Sequence, residues 1–196
     1  MVTTPHQKYQ RILESIEDIA DATKGKLILV GGTALAIFYL NHRASQDLDF
    51  MPLKGDDAKM KEWFKGQLSK KGFKTLRSTY TNMFVVQFDD TSIKVELFFP
   101  TPKPAKIEKM PVGRTTMLVA SLDDLLTMKT HAYRERKEAR DLYDVVSIHI
   151  KIGKPLDEIL QLIREVGPPK NVEELRELVT NETYGKAFEE VLKHVA

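Results

Sequence analysis

Apolar residues near the start of the chain recur at helical spacing. Ile12, Leu13, Ile16 and Ile19 mark the buried side of an amphipathic helix expected over residues 5–22. The period then shortens. Residues 26–30 (KLILV) are a compact apolar run of strand type that breaks at Gly31-Gly32. Thr33 is placed to cap a helix through Leu40, with Ala34, Leu35, Ile37 and Phe38 as its apolar content. Residues 47–51 alternate polar and apolar and predict a second strand, and residues 56–71 predict a helix. Two β-rich runs, 82–89 (NMFVVQFD) and 91–99 (TSIKVELFF), flank a tight Asp89-Asp90 turn and predict a hairpin. A last strand is expected near 115–119, and every later segment is helical in period. Ser121 opens a helix over 121–136, and Pro155 opens another that Gly167-Pro168-Pro169 stops. Asn171 with Glu174 reads as a capping-box start, and residues 189–194 close the chain helically. The fold class is mixed α/β (α+β): a small mixed sheet with flanking helices in residues 1–119, then a helical lobe in residues 120–196. Residues 100–109 (PTPKPAKIEK) read as an extended, positively charged connection between them.

The alternation at 47–51 carries the candidate chemistry. Side chains two apart on a strand share a face, so Asp47 and Asp49 point one way while Leu48 and Phe50 point into the core. Their separation along the strand, about 6.6 Å, can be closed onto a metal pair about 3.5–4 Å apart, the spacing used for in-line phosphoryl displacement. Mg²⁺ takes hard oxygen ligands and keeps waters and substrate phosphates, so few protein ligands are needed. Gly31 and Gly32 let backbone amides approach phosphate oxygens, and the helix that follows offers its positive end. Arg43 can meet a triphosphate in bidentate fashion, while Ser45 suits a local turn hydrogen bond at the entry to the strand. Glu96 is the one acid in the 91–99 run and shares a face with Lys94 and Phe98. In the 121–136 helix Leu122, Leu125, Leu126 and Met128 form an apolar stripe, and Lys129 stands twelve residues before Asp141. That is about 120° around an unbroken helix, so a break near 137–139 would let the two converge.

The string GGTAL…R-x-S-x-D-L-D-F over residues 31–50 resembles the signature of polymerase-β-like nucleotidyltransferases, and in its fuller form that of the AbiEii/AbiGii abortive-infection toxins. The resemblance implies an NTP-dependent nucleotidyltransferase using Mg²⁺ or Mn²⁺, with Asp47, Asp49 and Glu96 as metal ligands and catalytic acids. Glu96 stands where many members carry Asp, at a position thought to help deprotonate the attacking hydroxyl. Gly31, Gly32, Thr33, Arg43 and Ser45 fall in the nucleotide-binding turn. The later stretch M-K-x(11)-D-L-Y-D resembles further family motifs. By that match Lys129 contacts nucleotide phosphates, and Asp141, with Asp144, orients basic groups or the nucleotide. The resemblance also implies a hydroxyl acceptor that is a tRNA 3′ end or a protein, and a cognate antitoxin. Two other readings share the fold: a nucleotide-binding sensor or partner subunit without catalysis, and an enzyme that nucleotidylates an antibiotic.

Composition adjusts this picture in three places. The formal charge of +2 excludes an overwhelming basic field of the kind that announces nucleic-acid binding. Basic clusters at Lys59–Arg77, Lys103–Arg114 and Arg134–Arg140 nonetheless leave room for an RNA acceptor. No acidic cluster beyond the candidate site is visible for an aminocyclitol antibiotic. Cysteine is absent, which excludes disulfides and thiolate metal sites, and the five histidines are scattered. With no signal peptide and no apolar run of membrane length, a cytoplasmic location is expected and no membrane partner.

Overall fold

A computed structural model describes residues 4–181 and 185–195. Helix α1 (Pro5–Thr23) begins with a reciprocal cap: Gln7 N–H donates to Thr4 Oγ1 at 3.3 Å, and Thr4 N–H donates to Gln7 Oε1 at 2.8 Å. Ile12 and Ile19 are fully buried on its inner side and Ile16 partly so, whereas Leu13 is exposed. Positions 12, 16 and 19 follow the i, i+4, i+7 stripe, and Leu13 lies about 100° away from Ile12 around the helix.

Strand β1 (Leu27–Val30) is apolar at every position and buried on both faces. The chain turns directly from it into α2 (Gly31–Ala34), which widens into a π-helical stretch, Leu35–Leu40, closed by Asn41 N–H donating to Ala36 O at 3.1 Å. Thr33 therefore does not cap this helix. Gly31, at φ 73°, makes the turn itself, and Thr33 is buried within the first helical turn. Strand β2 (Asp47–Pro52), helix α3 (Asp57–Lys70) and strands β3 (Lys74–Arg77), β4 (Met83–Gln87) and β5 (Ser92–Leu97) follow. Next come β6 (Ile107–Val112) and β7 (Thr115–Ala120). The remaining helices are α4 (Leu122–Arg136), α5 (Ala139–Lys151), α6 (Leu156–Val166), α7 (Val172–Asn181) and α8 (Gly185–Val195).

Among the described residues seven strands form one sheet in the order β3-β4-β5-β2-β1-β7-β6. The β2–β5 and β1–β7 pairs are parallel and the rest antiparallel. The expected 82–99 hairpin is present as β4–β5. The expected connection at 100–109 is shorter than its composition suggests, because Ile107 already pairs with Ala120 and opens edge strand β6. Charged residues and Pro111 suit an unpaired edge, and residues 107–109 of this strand read as linker in sequence.

Across β2, β4 and β5 the core lies on one face of the sheet. Phe50 packs edge-on against Phe64 of α3 at 5.2 Å between ring centres, and Phe64 against Phe84 at 6.0 Å. Each such buried ring contributes about 1.5–3 kcal/mol of transfer free energy. A second apolar cluster joins Tyr133, Leu142, Tyr143 and Val146 to Ile159, Ile163, Leu175 and Phe188. Helices α4 and α5 belong to both clusters, since Leu125 and Ile148 sit in the first. Among the described residues no helix is long and apolar enough to cross a membrane.

Candidate functional site

The opposite sheet face carries charge. Parallel pairing of β2 with β5 sets Asp47 beside Lys94 and Asp49 beside Glu96, so four ionisable side chains occupy adjacent positions on one surface. Burial alternates as the sequence predicts: Leu48, Phe50, Val95 and Leu97 are buried, and Asp47, Asp49, Lys94 and Glu96 are part-exposed. The Lys94 ammonium lies 3.3 Å from Asp47 Oδ2 and 3.7 Å from Glu96 Oε2. Asn82, just before β4, donates from Nδ2 to Glu96 Oε1 at 3.0 Å.

Gly31 brings the turn against this group. A Cβ at that position would stand 2.6 Å from Asp49 Oδ2, so only a bare backbone fits beside the carboxylate. Burial, and then the charge of Asp47, push the Asp49 carboxyl up to about 6, against the opposing ammonium groups of Lys129 and Lys94. Carboxylates crowded and partly desolvated in this way fit a divalent cation by their chemistry, since a hard cation relieves both costs. Asp47 and Asp49 are the residues that could hold it. Among the described residues no three Asp, Glu or His side chains converge closely enough to ligate one ion.

The second half of the turn rests on a buried ion network. A Cβ on Gly32 would meet Arg43 Nη2 at 2.7 Å and Ser45 Oγ at 3.2 Å, so Arg43 and Ser45 pack directly beneath it. The Thr33 hydroxyl is 2.8 Å from Ser45 Oγ and donates to the backbone carbonyl of Asp47, which ties the helix to the start of β2. Arg43 grips Asp144 with both prongs, Nε to Oδ1 at 2.6 Å and Nη2 to Oδ2 at 2.8 Å. His42 Nε2 reaches the same Oδ1 at 2.7 Å, and Lys129 Nζ reaches Oδ2 at 2.7 Å. Lys129 also meets Asp141 Oδ1 at 3.0 Å, and Arg136 meets Asp141 Oδ2 at 2.7 Å.

This convergence depends on the break between α4 and α5. Lys137 takes a left-handed conformation, φ 55°, and α5 restarts at Ala139. Lys129 and Asp141 thus face each other despite their twelve-residue separation. Asp141 and Asp144 are both completely buried. Burial alone would raise the Asp144 carboxyl, but the charges of Arg43 and Lys129 and the bonds from His42 and Arg43 hold it well below the usual carboxylate range. Burial also lowers His42, whose ring stacks parallel to Tyr143 at 5.6 Å.

Of the residues singled out in sequence, Asp47, Asp49 and Glu96 share one sheet face, with Gly31 against Asp49. Gly32, Thr33, Arg43, Ser45, Lys129, Asp141 and Asp144 lie in the adjoining network. His42, Lys94 and Asn82 were not singled out. For Lys94 the signal was present, two residues before Glu96 on the same strand face; His42 and Asn82 are recruited by partners distant in sequence. An open groove of about 460 Å³, lined in part by Thr101, Leu126, Thr130, Arg134 and His149, includes none of these residues.

Comparisons with known proteins agree with this architecture. A putative nucleotidyltransferase from Helicobacter pylori superposes with a TM-score of 0.58 at 17% identity, covering 96% of this chain and 90% of that one. An antigenic nucleotidyltransferase-like protein from Paracoccidioides brasiliensis superposes with a TM-score of 0.53, also at 17% identity, covering 95% and 93% respectively. At such identities the likeness is one of fold. No curated protein matches the sequence. The profile of the nucleotidyl transferase AbiEii toxins of type IV toxin–antitoxin systems does match, over residues 11–195. That span takes in the glycine turn, both aspartates, Glu96 and the Lys129–Asp144 network, and the chain belongs to the AbiEii family.

Proposed function

We propose that the chain transfers a nucleoside monophosphate from a nucleoside triphosphate to a hydroxyl acceptor, a tRNA 3′ end or a protein side chain, in a Mg²⁺- or Mn²⁺-dependent reaction. In the cell it would act in the cytoplasm as the toxin of a pair with a cognate antitoxin. The observation that carries this reading is the set Asp47, Asp49 and Glu96 on one sheet face against Gly31, with the Asp49 carboxyl pushed up to about 6.

Asp47 and Asp49 would hold the metal, which when bound supplies positive charge to the triphosphate. Gly31, Gly32 and Thr33 form the turn on which the phosphates rest, with Arg43 and Ser45 as its floor. Lys129 adds positive charge at the same end, oriented by Asp141. The acceptor oxygen bonds to the α-phosphorus as the bond to the pyrophosphate oxygen breaks, and the acceptor proton passes to Glu96, which Asn82 orients. Most of the rate enhancement then comes from positioning and preset charge. In this arrangement residues 120–196 close the nucleotide side of the lobe formed by residues 1–119.

The test is transfer of label from each of four α-labelled triphosphates, with Mg²⁺ or Mn²⁺, to total tRNA or to proteins of a cell extract. Intact protein is expected to label one acceptor class. Asp47→Ala or Asp49→Ala should lower the rate on the order of 10³-fold or more. Metal-dependent nucleotide binding with no transfer by intact protein would replace this reading with the nucleotide-sensor one.

A further inference from the structure

We propose that Lys94 is a positioning residue that fills one of two cation places in the site, so that the protein takes a single divalent ion, on the Asp49 side. The inference rests on the metal-dependent reading above. Backbone register, not chance side-chain reach, sets the arrangement: Lys94 is the direct partner of Asp47 across β2–β5, and Glu96 is the partner of Asp49. The ammonium bridges carboxylates on both strands, 3.3 Å from Asp47 and 3.7 Å from Glu96. Two ions assisting an in-line displacement stand about 3.5–4 Å apart. A second ion beside the first would have to share the Asp47 and Glu96 carboxylates, and the Lys94 ammonium already supplies positive charge between those two.

Charge leads to the same count. Three carboxylates and one ammonium leave two net negative charges, which one divalent ion neutralises; without Lys94 there would be three. Of the other cations nearby, Arg43 is paired with Asp144, and Lys129, whose charge also reaches Asp49, is paired with both Asp141 and Asp144, so these two cations are already matched by two carboxylates. A hard cation that keeps its waters and substrate phosphates needs only the Asp47–Asp49 pair from the protein.

The experiment counts Mn²⁺ bound to the full chain by electron paramagnetic resonance, with and without a non-hydrolysable triphosphate analogue. Intact protein is expected to bind one Mn²⁺ with no spin coupling. Lys94→Ala and Lys94→Met should bind two coupled ions, the first at least about tenfold more tightly, because a unit charge a few ångströms away has been removed. Lys94→Arg should again bind one. Lys94 is 40% exposed, so these variants should keep the circular dichroism of the parent. A coupled pair in intact protein, or a single ion in both Lys94→Ala and Lys94→Met, overturns the assignment. Where label transfer survives, the transferase reading still stands. No bound Mn²⁺ in any variant overturns both.

Discussion

Asp49 is held in a form the fold disfavours. Its carboxyl is raised from an ordinary value of 3.8 to about 6, chiefly by burial. A raised carboxyl contributes stability that is complete below about pH 4 and lost as pH rises through 6. Above pH 6 the ionised side chain therefore costs stability. Asp49→Asn should raise the unfolding free energy at pH 7.5 by about 1–2 kcal/mol, a few degrees in melting temperature, while abolishing transfer. Metal-free thermal melts of both proteins at pH 7.5 and pH 4 test this; the gain should vanish at the lower pH, and no gain at pH 7.5 would contradict the argument. The placement of Asp49 was legible because strand alternation is a local rule. The role of His42 was not, because its partner Asp144 is 102 residues away and nothing near His42 announces it.

At the level of elements, the β1–α2 turn does the most with the least. Gly31 needs a left-handed backbone and no side chain, and the two demands can be separated. Gly31→Ala incurs about 1–2 kcal/mol of backbone strain and drives a methyl into Asp49 Oδ2. Gly25→Ala, at φ 65° with nothing within 4 Å, incurs the strain alone. Both should melt a few degrees lower, but only Gly31→Ala should lose transfer activity, by about 10²-fold or more. Equal activity in the two would show that the turn does not position Asp49. The glycine pair, strand β2 and the β4–β5 hairpin could all be read from short-range pattern, whereas the interruption between α4 and α5 was expected only because Lys129 and Asp141 could not otherwise meet. The π-helical widening at Leu35–Leu40 could not, since its apolar residues fit an ordinary helix equally well. The start of strand β6 was hidden because the charges at 108 and 109, which suit an edge strand, follow directly on a proline-rich run and read as part of it.

For the molecule as a whole, Asp144 is the tie between its two apolar clusters. It sits on α5 but binds Arg43 and His42, from the segment that enters β2, and Lys129 from α4. Asp144→Asn leaves buried cations short of a counter-charge and should cost about 3–5 kcal/mol, read as a lower urea midpoint. The sign with pH follows from its depressed carboxyl: the contribution is present above about pH 4 and fades as pH falls further, so parent and variant should draw together in acid. A midpoint unchanged at neutral pH would refute the role. The overall plan, sheet first and helices after, follows from the change in apolar period near residue 120. The strand order does not, since it depends on long-range pairing that no local pattern encodes. The parallel β2–β5 contact has one more consequence. Its backbone rungs fix the spacing of the four charged positions whatever side chains occupy them. A single codon change at any of the four thus resets the charge of the surface without reshaping the scaffold, and the negative charge of that face becomes a trait that point mutation can tune along a lineage.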